Sequence, residues 1–307
     1  MKFAAKPGHG WFGMYDGNQL IKFESVLSEM KASLNGTRYK SIETKQGQYL
    51  VGRDARIQSD TLISGNDESW PLSDYYKHLM LYGIASLVPD GQKQITITLG
   101  NTLAIRDYKR NKKAVTEHLK CDENVFIDGH KDVRIIIKDV LIFPESAVPV
   151  APYTNDFDYV VGIDLGTRNT NYVTMDGQSL VFDKSDSRNN GAIDFLKRVS
   201  KRIADEYGLE YHHIDLIERE IVQTGMIKVG MDDINVSRLI EAEKIPYFEK
   251  VKADISTTWG NSNRINKLIV FGGGVLLIGD MITREYRQTI RLNDPQWIQT
   301  KSIWSNL

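Results

Sequence analysis

Short apolar runs alternate with turn residues over residues 2–25. The run "KFAAK" is followed by "PGHG", "WFGMY" is followed by "DGN", and "LIKFES" closes the set. Apolar runs on both sides of an Asp-Gly pair are typical of a β-hairpin. The pattern therefore predicts three consecutive antiparallel strands.

The pattern is less regular between residues 36 and 146. A hairpin-like pair, "RYKSIET" and "GQYLVGRDA", precedes a polar loop, "SDTLISGNDESW". Apolar residues at helical spacing then predict a helix over "LSDYYKHLMLYGIASLV". The strand "KQITITLGN", the helix "YKRNKKAVTEHLK" and two strands, "VFIDGHKDVRIIIK" and "DVLIFPES", complete this half.

The opening pattern returns at residues 159–184, where "YVVGIDLG", "TNYVTMDG" and "QSLVFDK" repeat the order of strands and glycine turns. A repetition of this kind predicts two related lobes. We place the first lobe at residues 1–150, with an inserted subdomain at about 34–98. The second lobe covers residues 151–307, with a shorter insertion at about 188–258.

The remaining sequence predicts helices that end at glycine. "GAIDFLKRVSKRIADEYG" ends at Gly208 and "IDLIEREIVQTG" ends at Gly225. Residues 226–257 predict a short strand pair and another helix. "INKLIVFGGGVLLIGDMITREYRQ" predicts a buried strand, a triple-glycine turn and a helix.

Composition limits the classes of protein to consider. The chain has 307 residues, of which 41% are hydrophobic and 26% charged, and its net charge is -1. This balance gives no bulk attraction to nucleic acid or anionic membrane. The single cysteine excludes an internal disulfide, and no apolar run reaches the roughly 18 residues of a membrane span. The opening residues also lack the apolar core of a signal peptide. We expect a soluble cytoplasmic protein.

The segment "VVGIDLGTRNTN" has the features of a phosphate-binding turn. Gly166 would let backbone N–H groups approach phosphate oxygens, and Thr167 and Asn169 offer polar groups nearby. Asp164, at the strand end, could hold the water shell of a Mg²⁺ ion. The alternative is a tight hairpin in which the aspartate only caps the turn.

Two further segments offer chemistry. In "LIVFGGGVLLIGD", Gly272, Gly273 and Gly274 would leave bare backbone at a helix N-terminus for a flat ligand or a phosphate. Packing alone could also explain them, and no Walker lysine follows. In "VLIFPES", Glu145 follows a strand and a proline and could orient a water for attack on phosphate. A surface glutamate is the alternative.

Taken in this order, the three motifs resemble those of the actin-like ATPases, whose superfamily includes sugar kinases and large heat-shock chaperones. The short chain and "FPESAVP" leading into "VVGIDLGTRNTN" are most similar to the bacterial ParM/StbA plasmid-segregation branch. The resemblance implies an α/β fold of the ribonuclease H-like kind. It has two lobes, each a βββαβα unit, with a nucleotide cleft between them.

The resemblance also implies cofactors and site residues. ATP or ADP would bind with Mg²⁺, and GTP is an alternative nucleotide. Glu145 and Asp164 would be catalytic, with Asp164 also the metal ligand. The implied nucleotide-binding residues are Lys6, Gly8, His9 and Gly10 in a first phosphate loop, Gly166, Thr167, Arg168 and Asn169 in a second, Gly272, Gly273 and Gly274 in an adenosine loop, and Glu218 and Arg219 for the ribose or base.

The first loop departs from the family pattern, strand-Asp-x-Gly-x-Gly-x-x-Lys. "KPGHGWFG" puts Lys6 in the Asp position and Gly13 in the Lys position. A pair of unit charges about 4 Å apart is worth roughly 4 kcal/mol at an effective dielectric constant of about 20, so we expect hydrolysis to slow. The alternative is that Lys6 turns outward and Asp164 serves the metal alone.

Three functions follow from the resemblance. The first is a polymerising protein that hydrolyses ATP, or GTP, and segregates plasmid DNA as filaments. It would self-associate and act through an adaptor protein bound to centromere DNA, without direct DNA or membrane binding, because no basic face or helix-turn-helix signal is evident. The second is a pseudo-ATPase filament or scaffold that binds nucleotide without efficient hydrolysis. The third is a small-molecule kinase, which the short second-lobe insertion disfavours.

Overall fold

The structure is a computed structural model that describes residues 1–8, 10–30, 38–59, 61–65, 69–155, 159–210, 217–260 and 265–307. The chain divides into two compact units. The first unit contains Met1–Pro149 and Trp297–Leu307, and the second contains Val150–Gln296. Residues 297–307 thus belong to the first unit, whereas the sequence analysis assigned them to the second lobe.

The helices and strands of the described residues are numbered in chain order. The strands are β1 Lys2–Pro7, β2 Trp11–Tyr15, β3 Leu20–Glu24, β4 Val26–Glu29, β5 Ser41–Thr44, β6 Gly47–Val51, β7 Ile63–Ser64, β8 Gln94–Leu103, β9 Cys121–Ile127, β10 Lys131–Pro144, β11 Tyr159–Leu165, β12 Thr170–Asp176, β13 Ser179–Leu180, β14 Asp186–Arg188, β15 Met226–Val229, β16 Asp232–Asn235, β17 Lys267–Phe271 and β18 Thr289–Arg291. The α-helices are α1 Arg53–Gln58, α2 Asp74–Leu87, α3 Ile105–Leu119, α4 Ala192–Tyr207, α5 Ser237–Trp259, α6 Val275–Glu285 and α7 Ile298–Ser305.

The first unit is built on a ten-stranded sheet in the order β3-β2-β1-β8-β10-β9-β5-β6-β4-β7. The predicted antiparallel strands of residues 2–25 are β1, β2 and β3. Strands β1, β8 and β10 run parallel, so their carboxyl ends lie at one edge of the sheet. Helix α2 packs into the core of this unit. Ser73 is its N-cap residue, and the Ser73 side chain accepts a hydrogen bond from the N–H of Tyr76.

The structure corrects the predicted division of residues 125–146 into strands 125–138 and 139–146. Strand β9 ends at Ile127, and β10 runs on from Lys131 to Pro144 with a bulge at residue 138. The turn between them has φ 54° at Asp128 and 69° at Gly129. Two consecutive positive φ angles are typical of the tightest hairpin turns, which favour Asp-Gly. The chain therefore reverses at this pair, and the later bulge only bends the strand.

Helix α7 returns to the first unit and packs on the β1–β2 hairpin. The indole N–H of Trp304 donates a hydrogen bond to the carbonyl of Lys2 (3.3 Å), and its ring contacts Tyr15 edge to face. The side chain of Ile303 covers Gly100 of β8, where a Cβ would lie only 2.5 Å away. These contacts explain why the C-terminal residues belong with the first sheet.

The second unit is built on a six-stranded sheet with the path β13-β12-β11-β17-β18, and β14 also pairs with β12. Strands β11, β17 and β18 are parallel. The predicted third strand, "QSLVFDK", is only partly strand, because β13 ends at Leu180 and residues 182–184 form a 3₁₀ turn. The predicted helix before Gly225 has its first residues, 214–216, outside the described part, and Ile217–Val222 form a π-helix.

Candidate functional site

The turn that joins β1 and β2 is closed by Gly8. Its N–H donates to the carbonyls of Lys6 (3.1 Å) and Trp11 (3.0 Å). A Cβ at position 8 would lie 2.8 Å from the carbonyl oxygen of Trp11, so only glycine fits this close approach. Ser25 holds the outer side of the turn, because its hydroxyl donates to the Gly8 carbonyl (2.5 Å) and its N–H to the Gly10 carbonyl (3.1 Å). His9 lies outside the described residues.

The turn that joins β11 and β12 has the same hydrogen bonds. The N–H of Gly166 donates to the carbonyls of Asp164 (3.1 Å) and Asn169 (3.0 Å). A Cβ at position 166 would lie 2.6 Å from the Asn169 oxygen. The strand registers also match, since Lys6 faces Gly13 and Asp164 faces Asn171. Lys6 therefore occupies in the first hairpin the position that Asp164 occupies in the second.

The carbonyls of the turn between β11 and β12 accept hydrogen bonds from N–H groups at the start of α4. The carbonyls of Gly166, Thr167 and Arg168 accept hydrogen bonds from the N–H groups of Ala192 (3.0 Å), Ile193 (2.8 Å) and Gly191 (2.8 Å) respectively. The first N–H groups of a helix have no partner within it, and here the loop provides them with carbonyl acceptors. The helix start thus fixes the loop conformation.

Asp164 is buried at the carboxyl end of β11, with 1% of its surface exposed. The glycine turn after β17 lies against it. Gly272 has φ +90°, and a Cβ there would meet the Asp164 Oδ1 atom and the Leu165 backbone. The N–H of Gly274 donates to the Leu165 carbonyl (2.8 Å). The structure therefore brings together Asp164, the second loop and the three glycines that the sequence analysis selected separately.

Tyr247 of α5 lies beneath this glycine turn, and the sequence analysis missed it. Its hydroxyl is buried and lies 2.8 Å from the position of a Cβ on Gly274, with the Thr170 side chain nearby. Burial, with the nearby carboxylates of Asp194 and Asp164, raises the pKa of Tyr247. The hydroxyl therefore stays protonated. A tyrosine on an amphipathic helix gives no sequence signal of such a place.

Glu145 lies at the carboxyl end of β10 in the first unit. Its N–H donates to the carbonyl of Leu103 (2.7 Å), which fixes its backbone beside the end of β8. A buried pair lies close by, in which Asn101 Nδ2 donates to the Tyr76 hydroxyl (2.8 Å). Burial raises the pKa of Tyr76, and the charge of Glu145 adds to the effect. Ser146 follows with φ 70°, so the chain turns sharply after Glu145.

Glu218 and Arg219, the predicted ribose or base contacts, lie in a π-helix that is separate from the glycine turns. Glu218 is half-buried in the π-helix Ile217–Val222, where its carbonyl accepts a hydrogen bond from the N–H of Gln223 (3.2 Å). Arg219 belongs to the same turn, but its side chain lies outside the described part. π-Helical turns occur often at functional sites.

The described residues contain no group of three or more histidine, cysteine, aspartate or glutamate side chains that could hold a metal ion. A cation at Asp164 would therefore depend on water and ligand oxygens for its other contacts, as Mg²⁺ usually does. Among the described helices, none has both the length and the apolar character needed to cross a bilayer.

Two family models match the chain in succession. The model of the N-terminal domain of actin-like proteins matches residues 7–147. The C-terminal model of the archaeal MreB-like actin homologues matches residues 162–284. The chain belongs to the actin-like proteins. Comparison with curated protein sequences gave no match.

Solved structures of actin-like proteins share the fold. The archaeal actin homologue Ta0583 matches with a TM-score of 0.86 and 17% identity, over 99% of this chain and 98% of its own. The same protein in complex with ADP matches at 0.84 and 18%, with the same coverage. A 15-stranded ParM filament from Clostridium botulinum matches at 0.82 and 16%, again over 99% and 98%. The predicted α/β actin-like fold is confirmed.

Proposed function

We propose that this actin-like protein binds an adenine nucleotide and assembles with further copies of itself into filaments. The observation that carries the proposal is the repeated glycine turn, at Gly8 and at Gly166, at the carboxyl end of a central strand in each unit. Backbone at such strand ends commonly binds phosphate groups. The ADP complex of Ta0583 and the ParM filament support the same proposal.

Asp164 fits the role of a Mg²⁺ ligand in this proposal. It is a buried carboxylate, and the glycines around it leave the backbone free of side chains. The bound metal would neutralise phosphate charge. Glu145 would orient the water that attacks the terminal phosphate. The proposed product of hydrolysis is ADP, and GTP is an alternative substrate. Filament turnover would segregate plasmid DNA through an adaptor protein that is bound to the DNA.

A pseudo-ATPase scaffold is the second candidate, and Lys6 is the observation that favours it. Lys6 occupies the position equivalent to Asp164 within the same backbone turn. The first loop thus presents a cation where an acid would help to hold a metal. In this case nucleotide would bind and support assembly, but turnover would be slow.

Three measurements on the full chain test the proposal. Calorimetric titration with ATP, ADP and GTP, with and without Mg²⁺, measures binding, and light scattering with pelleting measures assembly. Phosphate release is compared among the wild type, Asp164→Ala, Glu145→Ala and the control Asp176→Asn. Asp176 is an exposed residue at the opposite end of the β11–β12 hairpin.

We expect the wild type to bind nucleotide and to assemble. Phosphate release should fall about 100-fold in Asp164→Ala and Glu145→Ala, but not in the control Asp176→Asn. Wild-type release no faster than that of Asp164→Ala would favour the scaffold. Nucleotide binding without growth in light scattering on nucleotide addition would favour a small-molecule kinase of the superfamily. Absence of both binding and assembly would overturn the proposal.

A further inference from the structure

Lys6, Gly13 and Lys22 form a row across the first hairpins. Lys6 faces Gly13 in the β1–β2 pairing, and Gly13 faces Lys22 in the β2–β3 pairing. Residues directly opposite each other in antiparallel strands direct their side chains to the same face of the sheet. The two lysines therefore share one face at the end of the sheet that carries the Gly8 turn.

The middle of this row has no space for a side chain. A Cβ on Gly13 would lie 2.7 Å from Cζ3 and 3.2 Å from Cε3 of Trp297, and 3.5 Å from the Thr300 hydroxyl. Trp297 stands immediately before α7, so its indole fills the place that a longer residue at position 13 would need. A cation at this level of the sheet must therefore come from a neighbouring strand.

The ammonium of Lys22 leans toward the turn. Lys22 faces Gly13, but its Nζ atom lies 3.9 Å from the centre of the Trp11 ring and 5.4 Å from that of Trp297. Trp11 is the first residue of β2, and its carbonyl accepts the hydrogen bond from Gly8. Aromatic faces attract cations, so the two rings hold the ammonium beside the loop while the side chain stays exposed.

The equivalent row in the second unit has the opposite character. Asp164 faces Asn171, which faces Ser187 of β14. The Ser187 hydroxyl donates to Asn171 Oδ1 (2.6 Å), so this row consists of one acid and two neutral polar residues. The first row offers two ammonium groups, which attract phosphate, and the second offers a carboxylate, which attracts a cation.

We propose that Lys22 is the phosphate-binding cation of the first loop, in place of a lysine at position 13. The inference rests on the proposed nucleotide function and names one residue of its anion-binding half. Trp11 and Trp297 position the ammonium, and Lys6 adds a second positive charge in the same row. The ligand group is the diphosphate or triphosphate of the nucleotide, not its base.

Binding of fluorescent ADP to the full chain tests this assignment, with unlabelled ADP and adenosine as competitors. The variants are Lys22→Gln, which removes the charge, and Lys22→Arg, which keeps it. Lys113→Gln is the matched control, because Lys113 is an exposed lysine on α3. A charge-assisted contact of this kind corresponds to about a 10- to 100-fold change in affinity.

We expect Lys22→Gln to weaken ADP binding by that factor and to leave adenosine competition unchanged, while Lys22→Arg and Lys113→Gln bind as the wild type does. ADP affinity of Lys22→Gln equal to that of Lys113→Gln would overturn the inference and leave the proposed function intact. An equal loss for ADP and adenosine would also overturn it, because it would indicate a disturbed fold. No ADP binding by the wild type would instead refute the proposed function.

Discussion

The hydroxyl of Tyr247 lies 2.8 Å from the point that a Cβ on Gly274 would occupy, with the Leu165 Cβ at the same distance. Gly274 has φ -66°, which any residue can adopt. The glycine is therefore required here by its neighbours and not by its backbone angle. Gly272 differs, because its φ of +90° is itself unfavourable for other residues.

Gly274→Ala should therefore destabilise the second unit, by about 1–3 kcal/mol, since the new methyl group must displace buried side chains. In a Tyr247→Phe background the same change should cost less, because only Leu165 still crowds the methyl group. Tyr247→Phe alone should cost less than Gly274→Ala, because it removes at most one neutral hydrogen bond, to Thr170, which is worth about 1 kcal/mol. Urea denaturation of the four proteins gives the coupling energy.

Gly273→Ala is the control for this cycle. The nearest atom to its Cβ would be Gln296 Nε2, 3.3 Å away at the end of a flexible side chain. Gly273→Ala should therefore change the free energy of unfolding little, with either Tyr247 or Phe at position 247. If Gly274→Ala cost the same with and without the Tyr247 hydroxyl, the steric explanation would be wrong.

Lys6→Asp should raise Mg²⁺-dependent phosphate release, provided that the chain turns over nucleotide as we propose. The substitution places an acid at the position equivalent to Asp164, within a turn that has the same hydrogen bonds. We expect an increase of about tenfold or more, which corresponds to a barrier lower by about 1.4 kcal/mol. Steady-state phosphate release at several Mg²⁺ concentrations measures it.

Lys2→Asp provides the matched control, because Lys2 is an exposed lysine at the other end of β1. Lys2→Asp changes the net charge by the same amount as Lys6→Asp, but position 2 lies away from the Gly8 turn. Equal rates in the two variants would mean that position 6 has no special role.

Local patterns were sufficient to predict the hairpins at both repeats. Alternation around Asp16-Gly17 and around Gly166 depends on neighbouring residues only, and the structure has antiparallel strands at both places. The turn at Asp128-Gly129 was equally visible in the sequence. The prediction was wrong because the apolar residues on both sides of Asp128-Gly129 suggested one long strand, whereas the charged pair Lys138-Asp139 interrupts the apolar run and suggested a break.

Long-range packing could not be predicted in this way. The place of α7 depends on contacts such as that of Trp304 with Lys2, near the opposite end of the chain. The role of Tyr247 depends on its approach to Gly274, which no spacing in the sequence reveals. Lys22 likewise became a candidate only through the strand register. Sequence motifs identified the loops, and the residues that support them came from the fold.

Asp254 of α5 should be important for the stability of the second unit. Its carboxylate accepts hydrogen bonds from Arg188, from Asn190 and from the Tyr172 hydroxyl (3.2 Å). Burial raises the pKa of Tyr172, so this hydroxyl remains a donor. Asp254→Ala leaves three donors without their acceptor. We expect a loss of about 2–3 kcal/mol in the free energy of unfolding, measured by urea denaturation.

The exposed pair of Asp122 and Arg134 provides the comparison. These side chains form two hydrogen bonds, of 2.6 and 2.7 Å, at the surface of the first unit. Water and salt screen such pairs, so Asp122→Ala should leave stability unchanged within error. If Asp254→Ala and Asp122→Ala lowered the free energy of unfolding by similar amounts, burial of the Asp254 network would contribute nothing to stability.

His78 should make the stability of the first unit depend on pH. Its Nε2 lies 3.1 Å from the Thr44 hydroxyl, and its ring stacks on Tyr49. Burial lowers the pKa of His78, although the carboxylates of Asp74 and Glu123 oppose this shift. Because the folded-state pKa lies below the ordinary value of 6.5, the unfolded chain takes up the proton first as the pH falls. Stability is therefore present above about pH 6.5 and decreases below it.

His78→Gln removes this titration and should flatten the dependence between pH 5 and 7, where one proton accounts for at most about 1.4 kcal/mol per pH unit. Urea denaturation at pH 5, 6 and 7 measures the slope for the wild type and the variant. His130→Gln is the control, because His130 is an exposed histidine in the β9–β10 turn. A wild-type slope retained in His78→Gln, or lost in His130→Gln, would show that the acid sensitivity arises elsewhere.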